Sequence, residues 1–259
     1  MLTILTAKEH IEKFTSGHSL PCLMSCVDAK GKYLQVVVKF RSTVHGNKTG
    51  LICEAMASMF AKDLKLTTPQ PFIVSLDPDL EKAELDKTIQ KNIRDSSGLN
   101  FGTLRLPTQY SVVPTGPRLP LSLYDAAAQV LAFDLLIGNA DRHKDKPNCL
   151  MSDTQIAVLD HEIAFPEARG EHRPKPWEIG GLAFIQSHVF LSKLKGEIPD
   201  LNPIRNALNQ LPKGHFEQYL AALPEDWSSA PVAESIVSHL EQVKNNSKKY
   251  FETLRHLLR

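Results

Sequence analysis

The residue types and spacing in one stretch of this 259-residue sequence suit phosphoryl transfer to a hydroxyl. Between Phe133 and Phe165 the chain presents Asn139, Asp141, Arg142 and His143, then Asn148, then Asp160, His161 and Glu162. Transfer of a phosphoryl group is catalysed mostly by positioning and charge neutralisation, so few protein groups are needed. A carboxylate must orient the acceptor and take its proton. Oxygen ligands must hold a hard divalent cation against the phosphates. A lysine should reach the phosphates, and a glutamate should hold that lysine. Asp141, Asn148 and Asp160 offer the first set of groups, and Lys39 with Glu54, fifteen residues on, offers the second. Each has a plainer explanation on its own: Lys39 as an edge-strand charge, Glu54 as a solvated helix residue, Asp and Asn as turn formers. Two acids flanked by apolar segments fit turn chemistry less well, and the five residues together fit a site.

Strands and helices must bring these groups together. Residues 20–27 and 33–40 read as strands joined by the turn Asp28-Ala-Lys-Gly31, with Lys39 in the second. Apolar residues at helical spacing from Leu51 to Leu66 predict a helix carrying Glu54 near its start. Strands are expected at 71–76 and 101–106 and a charged helix at 79–94. Thr6 with Glu9 three residues later resembles a capping box, which predicts a helix over 6–16. Four prolines between 107 and 120 break regular structure and mark a crossing. Ser122–Ile137 is apolar almost all round and should be a buried helix ending at Gly138-Asn139. A hairpin over 149–159 then delivers Asp160, and helices are expected at 203–211, 214–222 and 231–258. The layout is α+β: a β-rich N-terminal lobe (1–110) and a mostly helical C-terminal lobe (111–259), as in a bilobal protein-kinase-like fold.

The pattern Asn139-x-Asp141-Arg142-His143, Asn148 and Leu159-Asp160-His161-Glu162 resembles the HipA-like family of bacterial serine/threonine kinases, in its short stand-alone branch. Phosphatidylinositol kinases share the Asp-Arg-His element. The resemblance covers residues 18–165, the C-terminal helices matching only in being helical. It implies ATP and Mg²⁺ as cofactors, bound near 101–114. Asp141 would then be the catalytic aspartate, Asn148 and Asp160 the Mg²⁺ ligands, Lys39 the phosphate-binding lysine and Glu54 its partner. It further implies a protein substrate with a Ser or Thr acceptor, a toxin-type kinase paired with an antitoxin, and autophosphorylation in some members.

Asn139 is expected to brace the catalytic loop or cap the helix, and His143 to support the loop. Arg142 is expected to pair with an acid or lie at the surface, and His161 to pack. The sequence departs from the family pattern in two ways. Asp141 and Asn148 are seven apart, a wider spacing than in the longer relatives, so Asp145-Lys146-Pro147 should bulge outward. The Asp28–Gly31 hairpin carries no glycine-rich phosphate loop, so phosphate-cradling amides are expected from residues 45–50, which lead into the Glu54 helix.

Composition constrains the rest. Thirty basic against 29 acidic residues give no basic excess, so no direct nucleic-acid or membrane-surface binding is expected. Cys22, Cys26, Cys53 and Cys149 lack zinc-ligand spacing and read as structural thiols. The N-terminus reads as lacking a leader, and no apolar run reaches a membrane span, so a cytoplasmic protein is the expectation. Two rival functions stay open: a kinase for a small molecule or lipid headgroup, and a silent pseudokinase or antitoxin-like binding module.

Overall fold

The computed structural model describes residues 2–14, 19–83, 86–114, 116, 118–178, 180–227 and 230–259. Strands β1 (Ile4–Lys13), β2 (Cys22–Val27), β3 (Tyr33–Lys39), β4 (Pro71–Leu76) and β5 (Gly98–Leu104) close into a barrel in the order β1-β2-β3-β5-β4. Helix α1 (Lys48–Asp63) runs between β3 and β4, and α2 (Lys87–Asp95) between β4 and β5. Alternate residues of each strand point inward, as a two-residue period requires. Leu5 and Ala7, Cys22, Met24 and Cys26, Val36 and Val38, and Phe72, Val74 and Leu76 fill the interior, with Ile89 and Ile93 of α2 packed against them. Gly102 is needed there, because a Cβ would meet Val36 and Val74 methyls at 2.7 Å. The thiols of Cys22 and Cys26 belong to this apolar filling, and burial pushes Cys26 up to about 12.

On the opposite side of the same sheet, Ile73 and Phe101 join a second core with α1 and α3 (Tyr124–Leu136). The short strands β6 (Ser111–Val112), β7 (Cys149–Met151) and β8 (Ile156–Val158) form their own sheet beside it. The chain after α1 docks on that sheet: Val158 N donates to Thr67 O at 3.0 Å. Helices α4 (Leu191–Leu194), α5 (Asn202–Gln210), α6 (Glu217–Ala222), α7 (Ala230–Asn245) and α8 (Ser247–Leu258) wrap the second core. Tyr250 of α8 donates to Ala132 O (2.7 Å) and His239 of α7 contacts Leu136 O (2.7 Å), so both hold α3 by its carbonyls. Among the described residues no helix is long and apolar enough to cross a membrane.

Three sequence expectations are corrected. Residues 4–13 are strand β1, not a helix over 6–16; Thr15 and Ser16 lie outside the described residues. β1 pairs with β2 along most of its length and with β4 over Ile4–Thr6, and these tertiary ladders outweigh a local capping signal. Register shifts between Ala7 and Glu9 and between His10 and Glu12 blur its alternation, which hides the strand in the sequence. The charged helix expected at 79–94 is a 3₁₀ turn, Pro78–Ala83, followed by α2, whose N-terminus Asp86 caps through Thr88 N and Ile89 N. The long helix expected at 231–258 is broken at Asn246 into α7 and α8.

Candidate active site

Lys39 ends β3, paired with Phe101 of β5, and its ammonium points out of the barrel towards α1. There it bonds Glu54 Oε1, contacts Asp160 Oδ1 at 2.6 Å and lies 3.7 Å from Glu162 Oε2. Glu54 is buried because α1 is itself a core helix, packed on β4, β5 and α7 rather than lying on the surface. Gly50 permits that seating. A Cβ at this position would lie 2.3 Å from His45 O and 2.4 Å from a Val44 methyl. Burial opposes charge on Lys39, but Asp160, Glu54 and Glu162 outweigh it and hold the ammonium above its ordinary pKa. Burial likewise opposes ionisation of Glu54 and Asp160, and Lys39 holds both below the usual carboxylate range.

The second half of the site hangs from α3. The helix ends in a Schellman motif: Asn139 N donates to Asp134 O (2.8 Å) and Gly138 N to Leu135 O (3.3 Å), with Gly138 at φ 66°. Asp134 is fully buried and binds three partners. Arg142 Nε lies at 2.5 Å, Asn139 Nδ2 at 2.8 Å and His188 Nε2 at 2.9 Å. Arg142, also fully buried, donates onward to the carbonyls of Pro147, Asn148 and Leu159. One guanidinium thus ties the helix end, the end of the loop and the strand preceding Asp160. Arg142 is therefore not at the surface. Asn139 also accepts from Asp141 N at 3.2 Å. His161 is buried, edge-on to Phe133 and 3.4 Å from Arg142. His143 takes part through its backbone, exchanging bonds with Lys146.

Asp141 and Asn148 meet despite their spacing, Asn148 Nδ2 donating to Asp141 Oδ2 at 2.9 Å. The extra residues do not bulge outward. His143 and Lys146 close a tight turn, and Asp145, Lys146 and Pro147 line the cavity beside the site. Lys146 bonds Asp141 Oδ2 and lies 3.6 Å from Asp160 Oδ2. Burial opposes its charge, and Asp160 and Asp141 together raise it. Asn148 (φ 44°) and Asp160 (φ 60°) both hold left-handed backbone, which Asn and Asp tolerate better than most residues. Two such neighbours in one site, each fixed by Arg142 through a flanking carbonyl, mark a geometry the fold enforces.

Lys39, Glu54, Lys146, Asn148 and Asp160 form the polar end of a cavity of about 730 Å³, with Asp141 bonded to two of them just behind it. Its other walls are largely apolar, among them Val37, Leu106, Leu150 and Val158, and the segment 103–108 runs along one side. This size and character suit a small organic ligand. Phe14, Ser19 and Pro21, from the β1–β2 connection, also line it. Residues 45–50 do not. Asn47 N donates to Val44 O, Thr49 N donates to Gly46 O, and Lys48 is bound to Asp226. The loop expected to cradle phosphates is therefore not part of this cavity, whose wall includes Phe14, Ser19 and Pro21 on that side instead.

The donor set fits a divalent cation. Asp160, Glu54 and Glu162 offer carboxylate oxygens within 4.8 Å of one another, and Asn148 keeps its Oδ1 turned away from the bond to Asp141. Glu162 Oε2 is buried with no hydrogen-bond partner. Burial pushes that carboxyl up to about 7, with Lys39 opposing and Asp160 and Glu54 adding to the shift. An orphaned buried carboxylate oxygen beside two others is a place where a cation would relieve the charge.

A sequence model described as HipA-like kinase matches residues 7–253. The chain belongs to the HipA-like kinase family. The match extends past residue 165, so the C-terminal helices belong to the family pattern as well. No curated protein matches. Among solved structures, the Helicobacter pylori proinflammatory kinase CtkA is similar over all of both chains at 13% identity, with a TM-score of 0.57. The Golgi casein kinase with Mn/ADP bound is similar over 97% of this chain and 73% of its own at 10% identity, with a TM-score of 0.47. The likeness to CtkA shows that this HipA-like chain has a kinase-like α+β fold. Three site residues escape sequence reasoning: Asp134, Lys146 and His188. Asp134 carries a signal, being an acid in the apolar interior of α3. Lys146 and His188 carry none, because their partners are distant in sequence or set by the turn.

Proposed function

We propose that this HipA-like kinase is an ATP- and Mg²⁺-dependent protein serine/threonine kinase of two lobes, dividing near residue 110, with the nucleotide between them. The observation that carries the reading is the convergence of Lys39, Glu54 and Asp160 on one another at the polar end of an apolar-walled cavity, with Asn148 and Asp141 beside them. The apolar walls around Val37 and Leu150 suit a purine ring, and the lysine end suits phosphates. Lys39, held by Glu54, neutralises charge on the phosphates. Asn148 and Asp160 would hold the cation, which when bound supplies further neutralisation of the phosphate oxygens. Asp141 takes both neighbours on Oδ2, so Oδ1 can orient an acceptor hydroxyl and receive its proton. The proposed acceptor is a protein Ser or Thr, and the proposed partner an antitoxin-type protein, in the cytoplasm.

Incubation with γ-labelled ATP and Mg²⁺, alone and with cell lysate, tests this by mass spectrometry. Label on protein Ser or Thr, lost in Asp141→Ala, is the expected result. Label only on a small molecule or lipid, or on nothing, overturns the protein-kinase reading.

A further inference from the structure

The kinase reading leaves Lys146 without a role. Its ammonium is a wall residue of the cavity and touches two acids that the reading assigns to different tasks. It bonds Oδ2 of Asp141, the group that orients the acceptor, and lies 3.6 Å from Oδ2 of Asp160, the group that would hold the cation. A surface lysine pairs with one acid by chance. Lys146 is instead carried to this point by the turn that absorbs the extra residues, in which His143 N and O both bond the backbone of Lys146. Pro147 follows and its carbonyl is held by Arg142, so the base of the side chain is fixed. Lys39 cannot serve the same spot, being committed to Glu54 and Asp160 on the barrel side.

Resting on the kinase reading, we propose that Lys146 is a further catalytic residue, whose ammonium binds oxygens of the γ-phosphoryl group as it passes from nucleotide to acceptor. In the step itself the acceptor oxygen forms a bond to the γ-phosphorus, and the bond from that phosphorus to the β,γ-bridging oxygen breaks. ADP leaves with the bonding electrons, and the acceptor's proton goes to Asp141. Lys146 keeps its protons throughout and offers them as hydrogen bonds. It lies between Asp141 and Asp160, where an in-line transfer brings the three non-bridging oxygens and their charge. Moving onto those oxygens leaves Asp141 Oδ2 to Asn148 alone, so the unliganded Lys146 contact is a resting arrangement of the same group.

Calorimetric titration in Mg²⁺ with ADP and with the β,γ-imido analogue of ATP tests the assignment without turnover. Wild-type protein should bind both. Lys146→Met should weaken the analogue by about ten- to a hundred-fold, the worth of one charge-assisted hydrogen bond, and leave ADP within about twofold. Equal weakening of both ligands, or an unchanged analogue, overturns the role of Lys146 while sparing the kinase reading. Wild-type protein that binds neither nucleotide overturns the kinase reading and this role with it. If the methionine variant does not fold, Lys146→Gln, which retains a polar contact to Asp141, gives the same comparison.

Discussion

Arg142 fixes the site more than any other side chain. It is fully buried, paired with a fully buried Asp134, and its remaining donors satisfy the carbonyls of Pro147, Asn148 and Leu159, which fix Asn148 and Asp160. Removing one member of such a pair strands the other charge in the interior, which costs about 3–5 kcal/mol. Arg142→Ala should therefore lower urea-unfolding stability by about that amount; a loss below 1 kcal/mol would contradict the buried pair. His188 adds a pH dependence. Phe190 N donates to its Nδ1 at 3.2 Å, so its Nε2 must carry the proton that bonds Asp134, and the neutral ring satisfies both contacts. Burial depresses its pKa, Asp134 opposing less strongly. The folded state thus takes up this proton less readily than the unfolded chain, whose histidines titrate near pH 6.5. Stability from His188 is full above that pH and is lost as pH falls through it. The slope is bounded at about 1.4 kcal/mol per pH unit per proton. Urea midpoints between pH 5 and 7 should fall with acid, and His188→Gln should flatten the dependence. Parallel curves for the two proteins would refute it.

At the scale of elements, the critical one is α1. It carries Glu54 and is pinned along its length. Lys48 binds Asp226, Phe60 packs on Phe133 and Phe216, and Asp63 binds His215 (2.6 Å) and Tyr219 (2.5 Å). Gly50→Ala would drive a Cβ into backbone at 2.3 Å, so the helix start must shift. The expected result is a loss of about 1–3 kcal/mol in stability together with weaker nucleotide binding, since Glu54 lies one turn on. Unchanged thermal unfolding would contradict this seating. The apolar period of α1 and α3, the Asp28–Gly31 turn and the β7–β8 hairpin were legible in sequence because each is specified locally. β1 was not, since bulges blur its alternation and one of its two partners, β4, lies far along the chain. That one element also hid the β1–β2 connection at the cavity mouth. Lys39, Glu54, Asp141, Asn148 and Asp160 were readable as types in order. Their support by Asp134 and His188, and the inward turn carrying Lys146, depend on tertiary contacts that no spacing encodes.

Across the whole molecule, a barrel with its own interior and a helical core meet at one cavity, and charged groups from both converge at its polar end. Lys39 comes from the barrel, Glu54 from the helix beneath it, and Asp141, Asn148 and Asp160 from the segments held by Arg142. In the proposed function this convergence holds a metal–nucleotide complex, with Asp160 gripping the cation and Asp141 reserved for the acceptor. The most direct measurement is calorimetric titration of ATP, with and without Mg²⁺, into wild-type protein, Asp160→Ala and Asp141→Ala. Binding should require Mg²⁺, weaken by at least about tenfold in Asp160→Ala and stay largely intact in Asp141→Ala. Binding that ignores Mg²⁺, or that survives Asp160→Ala unchanged, would contradict it.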